Sequence, residues 1–349
     1  MKSLKIIFLQ VCLLILFACG QKGPQVVQQE GFTLIYDTLN IDVSCIGRPD
    51  MRLSFVEALT LKDGYLCALE EKEPGPYFSY PRRYLLRVDR ETAQTHIVDF
   101  PYKEKLYRNI CSKNGDVYMD YPEWCDTVWR YIPEQEIWKD ATEYRDVVYE
   151  DEDYRVYSRG MHFSPDQTWF LDKRTGEQYV FLAASGHVLR FNGNFYFTDL
   201  ARFRGLADPS EGILCDSLTD YASTLSVSRP RMPLALRSRI REMKSFGDIY
   251  AFGEGDDGYS GCEYTWPRPD TVFIASFKAQ KSLYQIITDP ETTWIAQVTK
   301  QGLKRIVNLG KRYDAWVNGQ NQICYRNDDA NVGIIELGDT LRFHHLHYR

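Results

Sequence analysis

Four motifs that commonly mark a reactive or nucleotide-binding site are missing from this sequence of 349 residues. It has no Cys-X-X-Cys pair, no Gly-X-Ser-X-Gly elbow, no His-Glu-X-X-His pair and no P-loop. Their absence removes the usual sequence signs of a zinc knuckle, an α/β-hydrolase, a zinc protease and a nucleotide-binding fold. We therefore expect no resident metal and no cofactor.

A surplus of positive charge is missing as well. Lys and Arg number 42 against 48 Asp and Glu, which gives a formal net charge of −6. Binding to phosphate backbones requires clustered Lys and Arg. The most basic stretch, residues 229–241, is explained more simply by a solvated helix face. We expect no nucleic-acid partner.

A hydrophobic run long enough to span a bilayer is also missing. The apolar run Ile6–Phe17 has roughly half the ~20 residues that a spanning helix needs. It follows Lys2 and Lys5 and ends at Ala18-Cys19, the layout of a cleaved export signal. The segment Leu16-Phe17-Ala18-Cys19 resembles the lipobox of bacterial lipoproteins, although that family prefers a smaller residue than Phe17 at its position. The other interpretation is an ordinary signal peptide with an incidental cysteine.

The lipobox resemblance implies where the mature chain begins and where it resides. Residues 1–18 would be the signal peptide, and Cys19 would carry the acyl chains that anchor the protein to a membrane. Residues 19–30 are polar and are predicted to form a tether. No acidic cluster follows the cysteine directly, which favours the periplasmic side of the outer membrane in a Gram-negative bacterium.

Aromatic residues are abundant, with 24 Tyr, 18 Phe and 7 Trp making up 14% of the chain. Such rings pack well in twisted sheets, where the polar tip reaches an edge, so the composition favours an all-β fold. Sugar-binding surfaces use the same rings, and this second interpretation stays open. Of the nine cysteines, seven remain after the leader and Cys19, so a fully paired set is impossible. We expect most of them to be buried small residues, with a Cys111–Cys125 disulfide as an alternative.

A repeat is the strongest internal signal. Each copy has a turn pair, a polar residue, an apolar residue and then Tyr, and Tyr118, Tyr157 and Tyr196 follow one another at intervals of 39 residues. In two looser copies Cys replaces the Tyr. The copies are residues 63–67, 114–119, 153–157, 192–197, 247–252 and 318–324.

Period-two strands joined by polar turns follow most copies, as expected of blades in a β-propeller. Six copies predict six blades over residues 31–349, while a further hairpin at 293–298 and 303–307 leaves seven open. We expect Phe32–Tyr36 to pair with the last strands, Leu341 to Tyr348, and so to close the ring. Residues 206–245 interrupt the repeat and predict an insertion with a short helix.

The loop 253–261 mixes acidic and glycine residues but lacks the carboxylate spacing of an EF-hand calcium loop. With the aromatic and basic residues that follow, it is the predicted ligand-facing loop. The His344–His347 cluster places only two imidazoles on one face of a strand, so we expect an exposed C-terminal strand there and not zinc. The predicted ligand-binding residues are Asp256, Asp257, Tyr264, Trp266 and Arg268.

Two functions from different classes remain. The first is a non-catalytic, lipid-anchored envelope protein that binds a glycan or another envelope protein. The second is a glycoside-cleaving propeller with a carboxylate pair at its centre, for which Glu211, Asp216 and Asp220 are examples of candidates. Missing catalytic motifs favour binding over catalysis.

Overall fold

The computed structural model describes residues 24–47, 52–71, 82–101, 109–113, 115–120, 127–161, 164–181, 186–199, 202–206, 209–211, 213–215, 271–299, 302–326 and 332–348. In these ranges the chain forms strands and three single-turn 3-10 helices, Ser44–Ile46, Thr142–Tyr144 and Pro209–Glu211, with no α-helix. The all-β prediction is confirmed for this part of the chain. No helix in it has the length and apolar character that a bilayer crossing requires.

In the described part of the chain, the strands form six antiparallel units, in which most strands that follow one another along the chain are neighbours in the sheet. We number the strands in chain order and describe the first three units first. Unit 1 contains β3 (Leu53–Thr60), β4 (Gly64–Glu71), β5 (Arg83–Asp89) and β6 (Thr95–Val98); unit 2 contains β7 (Asn109–Lys113), β8 (Asp116–Asp120), β9 (Val128–Ile132) and β10 (Ile137–Asp140); unit 3 contains β11 (Val147–Glu150), β12 (Tyr154–Met161), β13 (Ser164–Asp172), β14 (Gln178–Phe181) and the later strand β18 (Ile213–Cys215).

The other three units follow the same plan, and the last one also takes up the two N-terminal strands. Unit 4 contains β15 (His187–Phe191), β16 (Asn194–Asp199) and β17 (Arg202–Leu206); unit 5 contains β19 (Val272–Ala279), β20 (Ser282–Thr288), β21 (Thr292–Thr299) and β22 (Gly302–Lys311); unit 6 contains β23 (Asp314–Gly319), β24 (Gln322–Arg326), β25 (Val332–Glu336) and β26 (Thr340–Tyr348), extended by β2 (Phe32–Ile41) and β1 (Gln25–Gln29).

Successive units contact one another through their first strands. Strand β3 contacts β7, β7 contacts β11, β11 contacts β15, β15 contacts β19, and β19 contacts β23. The last unit returns to the first, because β24 and β25 contact β3. A single parallel pair, Gly319 with Ser112, also links unit 6 to unit 2 and so merges their strands into one ten-stranded sheet.

The N-terminal strand β2 pairs in parallel with the C-terminal strand β26, from Thr33 opposite Thr340 to Ile41 opposite Tyr348. The predicted pairing of these two segments is therefore confirmed. Apolar side chains of β2, Phe32 and Leu34, are buried in a cluster with residues of units 5 and 6. The two ends of the described chain thus stabilise each other.

Burial decreases from the second strand of a unit to the last. Strand β4 is buried along almost its whole length, whereas β10 is mostly exposed. A strand buried on both faces reads as a continuous apolar run, as in Tyr65 to Leu69. The aromatic residues fill the spaces between the sheets, as predicted, with Trp169, Trp294 and Phe170 fully buried.

The repeat maps onto the second strand of each unit. The repeated Tyr or Cys lies two residues beyond the first residue of that strand that pairs with the first strand of the unit. In unit 5 this position is Tyr284, which the sequence pattern missed. The copy at 247–252 lies outside the described residues. The six equivalent positions are Cys67, Tyr118, Tyr157, Tyr196, Tyr284 and Cys324.

Three boundaries predicted from the sequence are wrong. The tether ends before residue 25, because Val26 and Val27 join strand β1, which turns at Gly31 (φ +96°) and pairs with β2. Part of the predicted insertion, residues 213–215, is strand β18, which pairs with the edge of β14. The hairpin at 293–298 and 303–307 completes unit 5 and is not an additional unit. The predicted helix itself lies outside the described residues.

The cysteines behave mainly as small apolar side chains. Cys67, Cys111 and Cys324 are buried and free, and Cys45 is exposed and free. Burial raises the pKa of the Cys111 thiol to about 12, so it stays protonated and unreactive at neutral pH. Since Cys111 is free, the Cys111–Cys125 disulfide considered as an alternative is not formed; Cys125 itself lies outside the described residues.

Truncating Leu34 tests whether β2 holds the two ends of the chain together. Leu34 is 1% exposed, and we expect Leu34→Ala to lower the free energy of unfolding by about 2–5 kcal/mol because it removes buried surface and leaves a cavity. The control is Val26→Ala on neighbouring β1, where the side chain is 54% exposed and the expected loss is under about 0.5 kcal/mol. Urea unfolding followed by tryptophan fluorescence measures both. If Leu34→Ala lowered the free energy of unfolding no more than Val26→Ala does, the Leu34 side chain would not be part of the core.

Candidate ligand-binding cavity

A cavity of about 530 Å³ lies where units 4, 5 and 6 meet. This volume is in the range of small-molecule sites in proteins. Its walls come from the end of β15, the end of β19 and four turns, those after β15, β19, β23 and β25. The lining residues are Leu189, Arg190, Phe191, Asn192, Ser276, Phe277, Lys278, Gln280, Gln320, Asn321, Leu337, Gly338 and Asp339.

Asp339 fixes one wall of the cavity. Its carboxylate Oδ1 accepts a hydrogen bond from the backbone N–H of Gln280 (2.6 Å), which joins the β25–β26 turn to the β19–β20 turn. Its carbonyl oxygen accepts a second hydrogen bond from the N–H of Thr33 (3.2 Å). The wall is therefore tied to strand β2 as well, and a ligand would meet preorganised groups there.

Beneath the cavity lies a buried polar network that includes Ser276, one of its lining residues. The Oγ atoms of Ser276 and Thr198 lie 2.7 Å apart, and the amide of Gln285 donates to both, at 2.7 and 3.2 Å respectively. All three side chains are at most 1% exposed. Buried polar groups of this kind hold a site in one geometry when their hydrogen bonds are made.

His187 extends this network to the turn after β23. Its Nε2 lies 2.9 Å from the carbonyl oxygen of Gln320, and its Nδ1 lies 3.3 Å from the backbone nitrogen of Ser276. A carbonyl only accepts, so Nε2 carries the proton and Nδ1 accepts from the Ser276 N–H. Both ring nitrogens are engaged by backbone, and the pair His187–Ser276 is therefore not a base with its nucleophile.

Burial lowers the pKa of His187 to about 4, although its hydrogen bond to Gln320 opposes the shift. The imidazole is thus neutral at neutral pH. A neutral ring positions the Gln320 backbone without adding charge beside the cavity. We assign His187 a structural role under the cavity and not a catalytic one.

Arg190 is a cation of the lining that is held by two carboxylates and two aromatic rings. Its Nη1 donates to Asp151 (3.0 Å) and Asp153 (2.7 Å) in the turn after β11. Its guanidinium also lies over the rings of Tyr154 and Phe195, 5.7 and 5.2 Å from their centroids. Two carboxylates already neutralise this cation, so Arg190 presents donors to the cavity without a surplus of positive charge.

Four carboxamide side chains surround the opening. Asn192, Gln280 and Asn321 are exposed and Gln320 is half-buried, and their side chains make no hydrogen bond to other described residues. Each carboxamide offers two donors and one acceptor. Half-buried Phe191 adds a ring to the same wall. The lining can therefore hydrogen-bond a neutral polar ligand and also contact an apolar face of it.

None of the site residues predicted from sequence is among the described residues that line this cavity. Cys19 and the predicted loop residues Asp256, Asp257, Tyr264, Trp266 and Arg268 lie outside the described residues, as do Asp216 and Asp220. The side chain of Glu211 is likewise outside the described part. The cavity residues were missed because turns of three units supply them.

The histidine cluster is wrongly predicted as an exposed strand. Strand β26 lies between β2 and β25, and His344 is only 5% exposed. Its Nδ1 lies 3.2 Å from the hydroxyl of Tyr65 and its Nε2 lies 3.0 Å from Glu336. The closure by β2 buries this strand. In the described part of the chain, no three His, Cys, Asp or Glu side chains are grouped as metal ligands.

Comparisons with known proteins identify no family for this chain. No family model matches it, and no curated protein matches its sequence. Among solved structures, Hsv2 of Kluyveromyces lactis is similar with a TM-score of 0.35 and 7% identity over 82% of this chain and 75% of that one. The tricorn protease is similar with a TM-score of 0.34 and 10% identity over 91% of this chain and 34% of that one, so this chain spans about a third of it. Both TM-scores are low, and neither similarity identifies a function.

The lowered pKa of His187 predicts how the free energy of unfolding depends on pH. The folded state takes up its proton near pH 4, and the unfolded chain near pH 6.5. Between these values the unfolded state binds more protons, so the free energy of unfolding should fall as the pH drops, by up to about 3 kcal/mol from this residue. His187→Gln should be less stable at pH 7 but should lose less stability between pH 6.5 and 4, as measured by urea unfolding. His96→Gln, at a half-exposed site, is the control. Equal slopes for wild type and His187→Gln would contradict the assignment.

Proposed function

We propose that the chain is a lipid-anchored, non-catalytic binding protein of a Gram-negative cell envelope and that its cavity binds a glycan. In this proposal the six units are the blades of a β-propeller and Cys19 carries the lipid. The observation that carries it is the cavity, lined by four carboxamides and aromatic rings and offering a single carboxylate. The lipobox resemblance supplies the location.

A six-bladed ring is supported by the contacts between units. The first strands contact one another in chain order, and unit 6 returns to unit 1 through β24 and β25. Pairing of β2 with β26 is the closure that joins chain termini in many propellers. Since each small sheet leaves two apolar faces to cover, a ring covers both faces of every unit at once.

A glycan fits the chemistry of the cavity better than an anion does. Sugar hydroxyls both donate and accept hydrogen bonds, which matches carboxamides. Sugar rings also have an apolar face that can lie on Phe191. The lining holds two cations, Arg190 and Lys278. Three carboxylates balance them, namely Asp339 and the two that bind Arg190. The local charge therefore does not favour an anionic ligand. A concave site of this size suits a saccharide end better than a protein surface.

Binding is favoured over glycoside cleavage because the described lining offers one carboxylate, whereas hydrolysis needs two. Hydrolysis requires two Asp or Glu side chains on either side of the scissile bond. Among the described residues that line the cavity, only Asp339 is acidic, and its carboxylate already accepts a backbone hydrogen bond. The described lining of the cavity therefore offers no acid and base pair.

The lipid anchor is tested by Cys19→Ala. The wild-type chain, expressed with its own leader, should fractionate with membranes and keep that association in high salt, because acyl chains and not charges hold it. Cys19→Ala should lose the acyl mass that mass spectrometry detects on the mature wild-type N-terminus. An unmodified wild-type N-terminus would contradict lipidation.

The cavity is tested with an array of bacterial and plant oligosaccharides, followed by calorimetric titration of the best binder. Gln280→Ala with Asn321→Ala should weaken its Kd by about tenfold or more, since two hydrogen bonds are worth about 1–3 kcal/mol. Gln135→Ala, an equally exposed carboxamide in the β9–β10 turn, should leave the Kd unchanged. Release of reducing sugar from any arrayed glycan, or an unchanged Kd in the double variant, would overturn the proposal.

A further inference from the structure

Unit 5 is basic in an acidic protein. Residues 272–312 contain seven Lys and Arg but only two carboxylates, Asp289 and Glu291, whereas the whole chain has 42 against 48. One of the two carboxylates, Asp289, is buried and lies 3.8 Å from Arg305. The solvent-facing surface of unit 5 is therefore positive, and the rest of the chain carries the excess of acid.

The exposed cations of unit 5 follow its outer strand and the ends of its turns. Lys304 and Lys311 lie on β22, the outermost strand of the unit, and Arg312 follows it directly. Lys281 lies in the β19–β20 turn. All four side chains are exposed. We call these four residues the basic rim.

Strand β1 packs against the same apolar cluster as β22, the strand that carries part of the basic rim. Val27 of β1 and three residues of β22, Ile306, Val307 and Leu309, pack against one apolar cluster. Phe32 of β2 belongs to the core of that cluster and contacts the ring of Phe277 in unit 5, with centroids 5.8 Å apart. The outermost strands of units 5 and 6, β22 and β1, therefore border the same apolar cluster.

The length of the chain between Cys19 and β1 keeps the proposed lipid close to β1. Strand β1 begins at Gln25, six residues after Cys19. An extended chain spans at most about 3.6 Å per residue, so the acylated residue lies within about 20 Å of Gln25. Acyl chains that enter a bilayer at Cys19 would hold β1, and with it the cluster that β22 also borders, near the membrane surface. This step rests on the proposed lipid anchor.

We propose that the basic rim lies on the anionic lipid headgroups of the membrane that receives the anchor. A lipid and a group of cations together bind a membrane more firmly than either does alone. Lys and Arg near a negatively charged leaflet are attracted to it, and salt screens this attraction. The contact would orient the molecule with units 5 and 6 toward the bilayer.

The experiment uses the full-length lipidated chain in vesicles of phosphatidylcholine, with or without phosphatidylglycerol. Hydrogen–deuterium exchange of peptides from β22, read by mass spectrometry, reports whether the rim is covered. We expect exchange to be severalfold slower on the phosphatidylglycerol vesicles at low salt, and the difference to disappear at high salt. Lys281→Gln with Lys304→Gln and Arg312→Gln should abolish the slowing.

A matched triple variant controls for charge in general. Arg52→Gln, Lys62→Gln and Lys139→Gln removes three exposed cations from units 1 and 2 and their borders and should leave the slowing intact. Equal exchange on both kinds of vesicle, slowing on phosphatidylcholine alone, or equal loss of slowing in both triple variants would overturn the basic-rim proposal. Release of the wild-type chain from vesicles by a high-salt wash would instead contradict the lipid anchor, so the two failures are distinct.

Discussion

Every unit of this protein depends on its neighbours, because a small antiparallel sheet has two apolar faces and cannot cover either of them alone. The chain meets this constraint in order, with each first strand packed near the next, until unit 6 must be joined to unit 1. Strand β2 stabilises that last junction. It pairs with β26 from Thr33 to Ile41 and places Ile41 in the cluster shared by units 6 and 1, while Phe32 and Leu34 lie between units 5 and 6. On the other face of unit 6, Ile334 and Leu346 belong to one apolar cluster with Phe55 and Leu69 of unit 1.

The junction of units 6, 1 and 2 is polar as well as apolar. Glu57 of β3 is 5% exposed, and its carboxyl accepts hydrogen bonds from the N–H of Ile110 (3.1 Å) and from the indole of Trp316 (3.3 Å). Burial raises the pKa of Glu57 to about 8, so the group is largely protonated at neutral pH. Asn318 and Gln322 of unit 6 bond to the backbone of β3 nearby. These contacts fix the register of β3 against unit 6, since a hydrogen bond specifies position where apolar contact does not.

Local pattern predicted most strands and turns, because period-two alternation and turn residues act over only a few positions. It also located the second strand of five units through the repeated Tyr or Cys. The sixth, at Tyr284, was missed because Gln280-Lys281 lacks the usual Asn or Gly of a tight turn. Strand β1 was predicted to be a tether because its Gln residues make the segment polar, although Val26 and Val27 pair with β2. The cavity was beyond any local pattern, since His187, Ser276 and Gln320 come together only when three units pack.

The same N-terminal strand pair links the proposed anchor to the cavity. Gly31 turns β1 into β2 directly beside the hydroxyl of Tyr284, and any Cβ there would collide with it. Thr33 then donates to Asp339, which in turn holds the backbone of Gln280 at the cavity wall. A chain anchored at Cys19 would therefore keep its cavity near the bilayer, because only five residues separate Cys19 from β1 and hydrogen bonds connect β2 to the cavity wall. Under the proposed function, such a cavity would meet glycans that approach along the membrane surface.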